Sequence, residues 1–483
     1  MAEAAVTGAG ADDTVPAGAR DDLQGLVVTG WSRFHHAALL FVRLGSDPGR
    51  SRAWLREVTD QVGWAREAAG EPELRATRPR GFDARVAVAL TTRGLAALGV
   101  PDDVVDRFPQ EAKLNMAERA RILGDAVDEL GRPRDWTLTV DGCDALVLLY
   151  APGAPDRDAL LREHEQLLRA HGGITVADEK SAAWAGTEPF GFVDGLSQPV
   201  VKGLGARAGQ PRGPRDEIPA GEVVLGYRNA YGQLPQSPTW GDLDLGKHGS
   251  YLVFRKLEQD VTGFWRYFAN LGRTLAGQGP VPADPALATE WLAARAMGRW
   301  RNGTPVVVYP DAPGPADDRA SLNQFEYLAH GDADGLRCPI GAHIRRANPR
   351  DARGGGADES WQVVNRHRLL RRGRAFGEAI SPEQAMAGAT PREPVGLLFL
   401  SLQASIARGF EFVQQIWNGN PGFGGLHREP DPITGPGGCA FTIPADPVRL
   451  RLPDLPRFVT PRGGAYFFLP SRTALERIIA GPD

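Results

Sequence analysis

Three segments hold residues whose types and spacing could do chemistry. The first is Gly191-Phe192-Val193-Asp194-Gly195, continued by Leu196-Ser197-Gln198-Pro199, which sets one carboxylate in a tight turn among aromatic neighbours. Asp before Gly is ordinary turn chemistry, so Asp194 gains a catalytic reading only in company. The second runs from Cys338-Pro339-Ile340-Gly341-Ala342-His343 through Ile344-Arg345-Arg346-Ala347-Asn348-Pro349-Arg350. A lone histidine there reads first as a satisfied core residue. The arginines change that reading, because a haem brings two propionates that need charge-assisted donors near the face holding its axial ligand. The third is Asn365-Arg366-His367-Arg368-Leu369-Leu370-Arg371-Arg372-Gly373-Arg374. Its plain reading is a solvated basic rim. Cleaving a peroxide, however, needs a fixed cation where charge develops as the O–O bond breaks, and arginine stays charged at any working pH.

The rest of the chain must be large enough to bury such a centre. Its 483 residues exceed the size at which one hydrophobic core stops growing, which predicts two domains or two fused halves. With 42% hydrophobic and 24% charged residues and a formal charge of -4, the composition is that of a soluble globular protein and gives no electrostatic reason to bind nucleic acid. No apolar run reaches the roughly 18 residues that span a bilayer. The three cysteines, Cys143, Cys338 and Cys439, are far apart, which argues against a zinc knuckle or a disulfide framework and favours a reducing compartment. Met1 to about Asp22 is Ala/Gly/Asp-rich, without a signal-peptide pattern or twin arginine, and is expected to be a disordered tail on a cytoplasmic protein.

Periodicity supplies the elements that would position the three segments. Leu23 to Thr29 and Ala37 to Leu44 read as strands, followed by a helical pattern from Ser51 to Ala69. Val86–Leu90 and Ala145–Tyr150 read as strands, Arg93–Leu98 and Asp156–His171 as helices. Residues 201–249, rich in Gly, Pro and Arg at their start, read as a long connecting loop. Beyond it, Ser250–Arg255, Val395–Gln403 and Gly464–Leu469 read as strands, the last after a Pro461-Arg462-Gly463 turn. Asp260–Leu275, Pro285–Trp300 and Arg408–Trp417 read as helices. The mixture is α+β, with no convincing internal repeat.

Taken together and in order, Gly-x-x-Asp-Gly, Cys-Pro-x-Gly-Ala-His-Ile-Arg-Arg-x-Asn-Pro-Arg and Leu-Leu-Arg-Arg-Gly resemble the DyP-type (dye-decolorizing) haem peroxidases. Weaker echoes at Asp22–Val27, Gly249–Lys256, Gly396–Leu400 and Phe458–Gly464 extend the resemblance over roughly residues 22 to 472. It implies two ferredoxin-like halves, antiparallel sheets covered by helices, with the haem held by the second. The expected division is a tail over 1–22, an N-terminal domain over 23–200, a connection over 201–249 and a haem-binding domain over 250–483. It further implies haem b (iron protoporphyrin IX) with His343 as iron ligand, and Asp194 and Arg371 as the catalytic pair. His367 is the rival for the iron, set aside because only His343 sits in the Gly-Ala-His-Ile-Arg-Arg context. Arg350 is the expected propionate partner, with Arg345 and Arg346 as weaker candidates. Leu398 and Leu400 match positions that line the distal pocket, though alternating strand core explains them equally well. The chain departs from the pattern at Arg374-Ala375-Phe376-Gly377, where relatives tend to carry a proline before the aromatic-Gly pair.

The implied activity is reduction of hydrogen peroxide and oxidation of bulky aromatic reductants, dyes and phenols, through an oxyferryl intermediate, favoured by acidic pH. Eleven tryptophans and eight tyrosines offer electrons a route to reductants too large to enter. The competing reading is a non-peroxidatic haem protein that carries haem, senses it or releases its iron; such a protein has no use for an Asp194–Arg371 pair. A hydrolase built on Asp194 and His343 lacks a nucleophile motif. Monomer and homodimer stay open, as does the carboxylate or carbonyl that would receive the second ring proton of His343.

Overall fold

The computed structural model describes residues 13–68, 83–183, 185–205 and 215–482. The first half contributes β1 (His36–Arg43), α1 (Pro48–Thr59), β2 (Arg85–Leu90), β3 (Ala145–Ala151), α2 (Ala154–Ala170) and β4 (Ile174–Lys180). The second contributes β5 (Ser250–Gln259), α3 (Val261–Leu275), α4 (Pro285–Met297), α5 (His343–Ala347), β6 (Leu370–Arg371), β7 (Arg374–Phe376), β8 (Gly396–Gln403), β9 (Val459–Leu469) and α6 (Arg472–Ala480). Local chemistry sets the helix starts. Asp47 caps α1 by accepting from Gly49 N at 2.8 Å, with Pro48 in the first turn. Asp284 caps α4 in the same way, and Gly298, at φ 93°, ends it in the left-handed conformation glycine tolerates.

The strands form one nine-stranded sheet in the order β6-β8-β5-β9-β2-β3-β1-β4, with β7 also paired to β8, and its pairings are antiparallel. Each half follows the order second-third-first-fourth, the ferredoxin-like arrangement, and the halves meet where β9 pairs with β2 at Phe468 and Leu90. Both faces of the sheet are covered, so β1 and β3 are apolar and buried almost without alternation. Two of the cores cross the seam: one holds Leu40, Val88 and Val147 with Val253, Tyr466 and Phe468, and another holds Phe41, Leu146 and Leu148 with Phe254, Leu398 and Leu400. Each of these two therefore draws on both halves.

Several expectations are corrected. Leu23–Thr29 is not a strand: Gly25–Val28 makes a helical turn, and buried Gln24 bonds the β2 backbone, with Nε2 donating to Val88 O at 2.8 Å and Val88 N donating to Oε1 at 3.0 Å. Residues 1–12 of the expected tail lie outside the described residues, but Ala17–Asp21 forms a short 3-10 helix and Val15 is buried. The helix expected over Ser51–Ala69 breaks after Thr59 and resumes only at Ala65–Ala68; Ala69 lies outside the described residues. Residues 201–249 are more than a loop where described, because Val200–Val201 pairs in parallel with Glu217–Ile218, and Val223, Val224 and Leu225 are fully buried. The turn expected at Pro461–Gly463 is a bulge inside β9. Arg408–Trp417 winds as wide π-helical turns. Among the described residues no helix is long and apolar enough to cross a membrane.

Candidate active site

A cavity of about 280 Å³ lies between the second half's part of the sheet and the segments carrying the three motifs. Strand alternation builds one wall. Arg255, Leu257 and Gln259 of β5, and Leu397 and Phe399 of β8, point into it, while Val459 and Pro461 of β9 extend it. His343, the first residue of α5, lines it with Ile344 and Ala347. The motif turn brings Phe192, Asp194 and Ser197, and β6 brings Arg371.

His343 Nδ1 lies 2.9 Å from Asp431 Oδ2. A carboxylate can only accept, so Nδ1 carries the proton and Nε2 keeps its lone pair. Asp431 is wholly buried, and its other oxygen accepts from Ile433 N and Thr434 N at 2.9 and 2.8 Å. Burial alone would raise its pKa, but His343 and then Arg346 hold it below the ordinary carboxylate value. Burial likewise opposes charge on His343, and Asp431 outweighs it, so the ring is more basic than a free imidazole. With its side chain 26% exposed, within the cavity, this is an oriented, electron-rich ring suited to hold a metal.

Asp194 and Arg371 meet in the same cavity, with Arg371 Nη1 donating to Asp194 Oδ1 at 3.3 Å. That oxygen also accepts Gly195 N at 2.6 Å. Arg371 is held by its backbone, whose N–H donates to Gln198 Oε1 at 3.0 Å. Both side chains remain about one-third exposed, within reach of anything bound there. A fixed cation beside a free carboxylate oxygen can move a proton between two ligand atoms while stabilising negative charge on one of them.

Three further guanidiniums, Arg299, Arg350 and Arg368, line the cavity. Burial, and then the neighbouring Arg350, pushes Arg299 down to about 9. Arg350 donates to the carbonyls of Asn323 and Phe325 at 3.1 and 2.8 Å. Arg368 pairs through Nη2 with Asp216 at 2.8 Å, and among the described residues its buried Nη1 has no partner, nor do Asn348 Oδ1, Asn418 Oδ1 and Thr434 Oγ1. A haem fits this set: an oriented imidazole, arginines for two propionates, and apolar walls from Phe192, Leu196, Ile344, Phe410, Val413 and Ile433.

Asp194, Arg371, His343 and Arg350 are thus brought to one cavity, and Arg345, Arg346, Leu398, Leu400 and the rival His367 are not. Arg345 is buried against Tyr327 and bonded to Asp332 and the Cys338 carbonyl. Arg346 donates to the carbonyls of Gly341, Trp417, Asn420 and Glu429. Both satisfy backbone oxygens instead of facing a ligand. Leu398 and Leu400 are buried on the opposite face of β8, since a one-residue shift along a strand reverses the face; the cavity takes Leu397 and Phe399. His367 does not line the cavity: its ring stacks on Phe412 at 3.7 Å, Nδ1 meets the Arg408 carbonyl at 2.6 Å, and burial pushes its pKa down to about 4. Asp431 was not legible, because 88 residues separate it from His343. Glu188, Gln259, Arg255, Arg299 and Arg368 were likewise missed; the β5 residues could have been found from the period-2 pattern.

No family model matches this chain. It is 32% identical over 416 residues to a dye-decolorizing peroxidase of Exidia glandulosa, covering 75% of that protein. It is 31% identical over 459 residues to a multifunctional dye peroxidase of Amycolatopsis, covering 92% of it. Among solved structures it superposes on an ancestral D-type dye-decolorizing peroxidase with a TM-score of 0.79 and 27% identity, over 95% of this chain and 99% of the other. A dye-decolorizing peroxidase in complex with 2,6-dimethoxyphenol gives a TM-score of 0.78 and 26% identity, over 96% and 99%. Fold and cavity together define a haem peroxidase. The chain belongs to the dye-decolorizing peroxidase family.

Proposed function

We propose that this chain is a haem b peroxidase that reduces hydrogen peroxide with electrons from phenols and larger aromatic dyes. The observation that carries the reading is the Asp194–Arg371 pair, at 3.3 Å in the same cavity as a histidine whose far nitrogen is tied to a buried carboxylate. The sequence has no C-x-x-C-H attachment motif, which favours a non-covalent haem. His343 would hold the iron, and Arg350 and Arg368 the propionates. When bound, the haem supplies the iron at which peroxide is reduced and the two electrons that reduction needs.

The protein's part is proton placement and charge stabilisation. Asp194 takes the proton from the inner peroxide oxygen and returns it to the outer one, so that the outer oxygen leaves as water. Arg371 stabilises the charge that grows on the departing oxygen and keeps Asp194 turned toward it. Asp431 keeps the His343 proton on Nδ1, and so keeps Nε2 free for iron. Phenolic reductants are supported by the 2,6-dimethoxyphenol complex of a relative. A haem carrier would leave the Asp194–Arg371 pair without a purpose.

The test is rapid mixing of the haem-loaded protein with one equivalent of hydrogen peroxide, followed by absorption, alongside Asp194→Asn, Arg371→Leu and His343→Ala. Rapid spectral conversion that both cavity variants slow, with haem loss in His343→Ala, supports a peroxidase. Bleaching independent of Asp194 and Arg371 rejects it.

A further inference from the structure

Asp194 sits on a turn, and a turn among aromatic side chains needs something to fix it. Glu188, six residues upstream, has no part in the chemistry above, yet its carboxylate lines the same cavity. One oxygen accepts Phe192 N at 2.9 Å; the other accepts Phe190 N at 3.0 Å and Gln259 Nε2 at 2.7 Å. The backbone doubles this closure, with Glu188 N donating to Phe192 O at 2.9 Å and Gly191 N to Glu188 O at 2.8 Å. Gly191 takes the positive φ of 95° that the closure demands.

This carboxylate is placed to act through Asp194. Phe190 and Phe192 are almost fully buried, stacked against Phe264 and Trp265, so their N–H groups have no access to solvent once the turn is closed. Gln259 belongs to β5, so the same carboxylate ties the turn to the sheet that forms the cavity wall. Two residues beyond Phe192, Asp194 points into the space that Arg371 shares.

We propose that Glu188 is a positioning residue that sets the reach of Asp194 toward bound peroxide by clamping the Phe190–Phe192 turn to β5. The proposal rests on the peroxidase reading. In the ionised form both oxygens accept N–H groups, so the isosteric amide cannot replace the carboxylate: Glu188→Gln sets an NH₂ against one of those donors and forces the turn open. A displacement of about 1 Å at a reacting group costs on the order of 100-fold in rate.

The experiment uses the full haem-loaded chain at pH 8, where Glu188 is ionised, and reads two quantities, the ferric absorption spectrum with haem content and the second-order rate with hydrogen peroxide. Glu188→Gln, Asp194→Asn and the double variant form a cycle. The expected result is a roughly 100-fold slower reaction in Glu188→Gln with haem content and ferric spectrum retained, and a double variant no slower than Asp194→Asn alone. Rescue by Glu188→Asp is expected to be partial, because the shorter side chain reaches only part of the donor set. A Glu188→Gln rate within twofold of the parent overturns the proposal, as does a double variant slowed by the product of the single effects. If Glu188→Gln fails to hold haem, Gln259→Leu enters the same cycle, with a smaller loss that again vanishes in the Asp194→Asn background. A normal rate in Asp194→Asn refutes the peroxidase reading itself, whatever Glu188 does.

Discussion

Replacing Asp431 by Asn tests the proximal side. The substitution keeps the volume of a wholly buried side chain and removes its charge, turning a charge-assisted bond to His343 Nδ1 at 2.9 Å into a neutral one. Hydrogen bonds to charged groups contribute about 1.5–3 kcal/mol, against about 1 for neutral pairs, so up to about 2 kcal/mol of support for a more basic ring is lost. If all of that support acts on ferric over ferrous iron, the reduction potential rises by up to about 85 mV, at 59 mV per 1.4 kcal/mol for one electron. The assay is spectroelectrochemical titration of the haem-loaded variant beside the parent, with haem affinity measured by transfer to an apo-globin acceptor. An unchanged potential with full haem occupancy would refute the argument that Asp431 tunes the iron through His343. A fall in potential would reverse its sign.

Other outcomes follow from the same geometry. Asp194→Asn should slow the reaction with peroxide by about 10²–10⁴-fold, the usual range for one positioned acid–base group, measured by stopped flow at saturating reductant. Leu400→Ala should lower stability by about 2–5 kcal/mol in denaturant titration and leave the haem spectrum unchanged, whereas Phe399→Ala should alter the spectrum, since only Phe399 lines the cavity. Burial raises Glu188 from 4.5 to about 7, outweighing the bonds from Gln259, Phe190 and Phe192 that pull it down. A carboxyl raised on folding holds its proton longer in the folded chain, so haem-free stability should fall as pH rises from 4.5 to 7, by up to about 3 kcal/mol at 1.36 kcal/mol per pH unit. Thermal melts of the apoprotein over that range, beside Glu188→Gln, would reveal the slope and its loss.

The sequence made legible what is local. His343, Asp194 and Arg371 stand in runs whose residue types already constrain them, and the helix expected from Pro285 starts there, behind its cap Asp284, whereas the helix expected from Ser51 starts three residues earlier, at Pro48. What stayed hidden is long-range or shifted by one residue. Asp431 reaches His343 across 88 residues, and no feature of Glu429-Pro430-Asp431-Pro432 marks it as a histidine partner. On β8 the apolar run is continuous, so periodicity cannot tell Leu397 and Phe399 from Leu398 and Leu400; only the structure gives the face. Strand β4 was missed because it is an edge strand, half-buried and polar toward its end. The basic run after His343 looked uniform, yet Arg345 and Arg346 turn inward to carbonyls while Arg350 reaches the cavity.

The seam between β9 and β2 has a consequence for how the chain is made. Residues 85–90 leave the ribosome long before residues 459–469, and at 5–20 residues per second the interval is on the order of twenty seconds to more than a minute. Throughout it, the edge of β2 that later faces β9 and the edge of β5 that β9 also covers are open templates for strand addition by another chain. The last strand closes both at once, so a truncation just before Val459 would not remove a peripheral element but produce two sticky edges. Overexpression without chaperones should be limited by this one late event, and aggregated protein should be enriched in chains stalled before it.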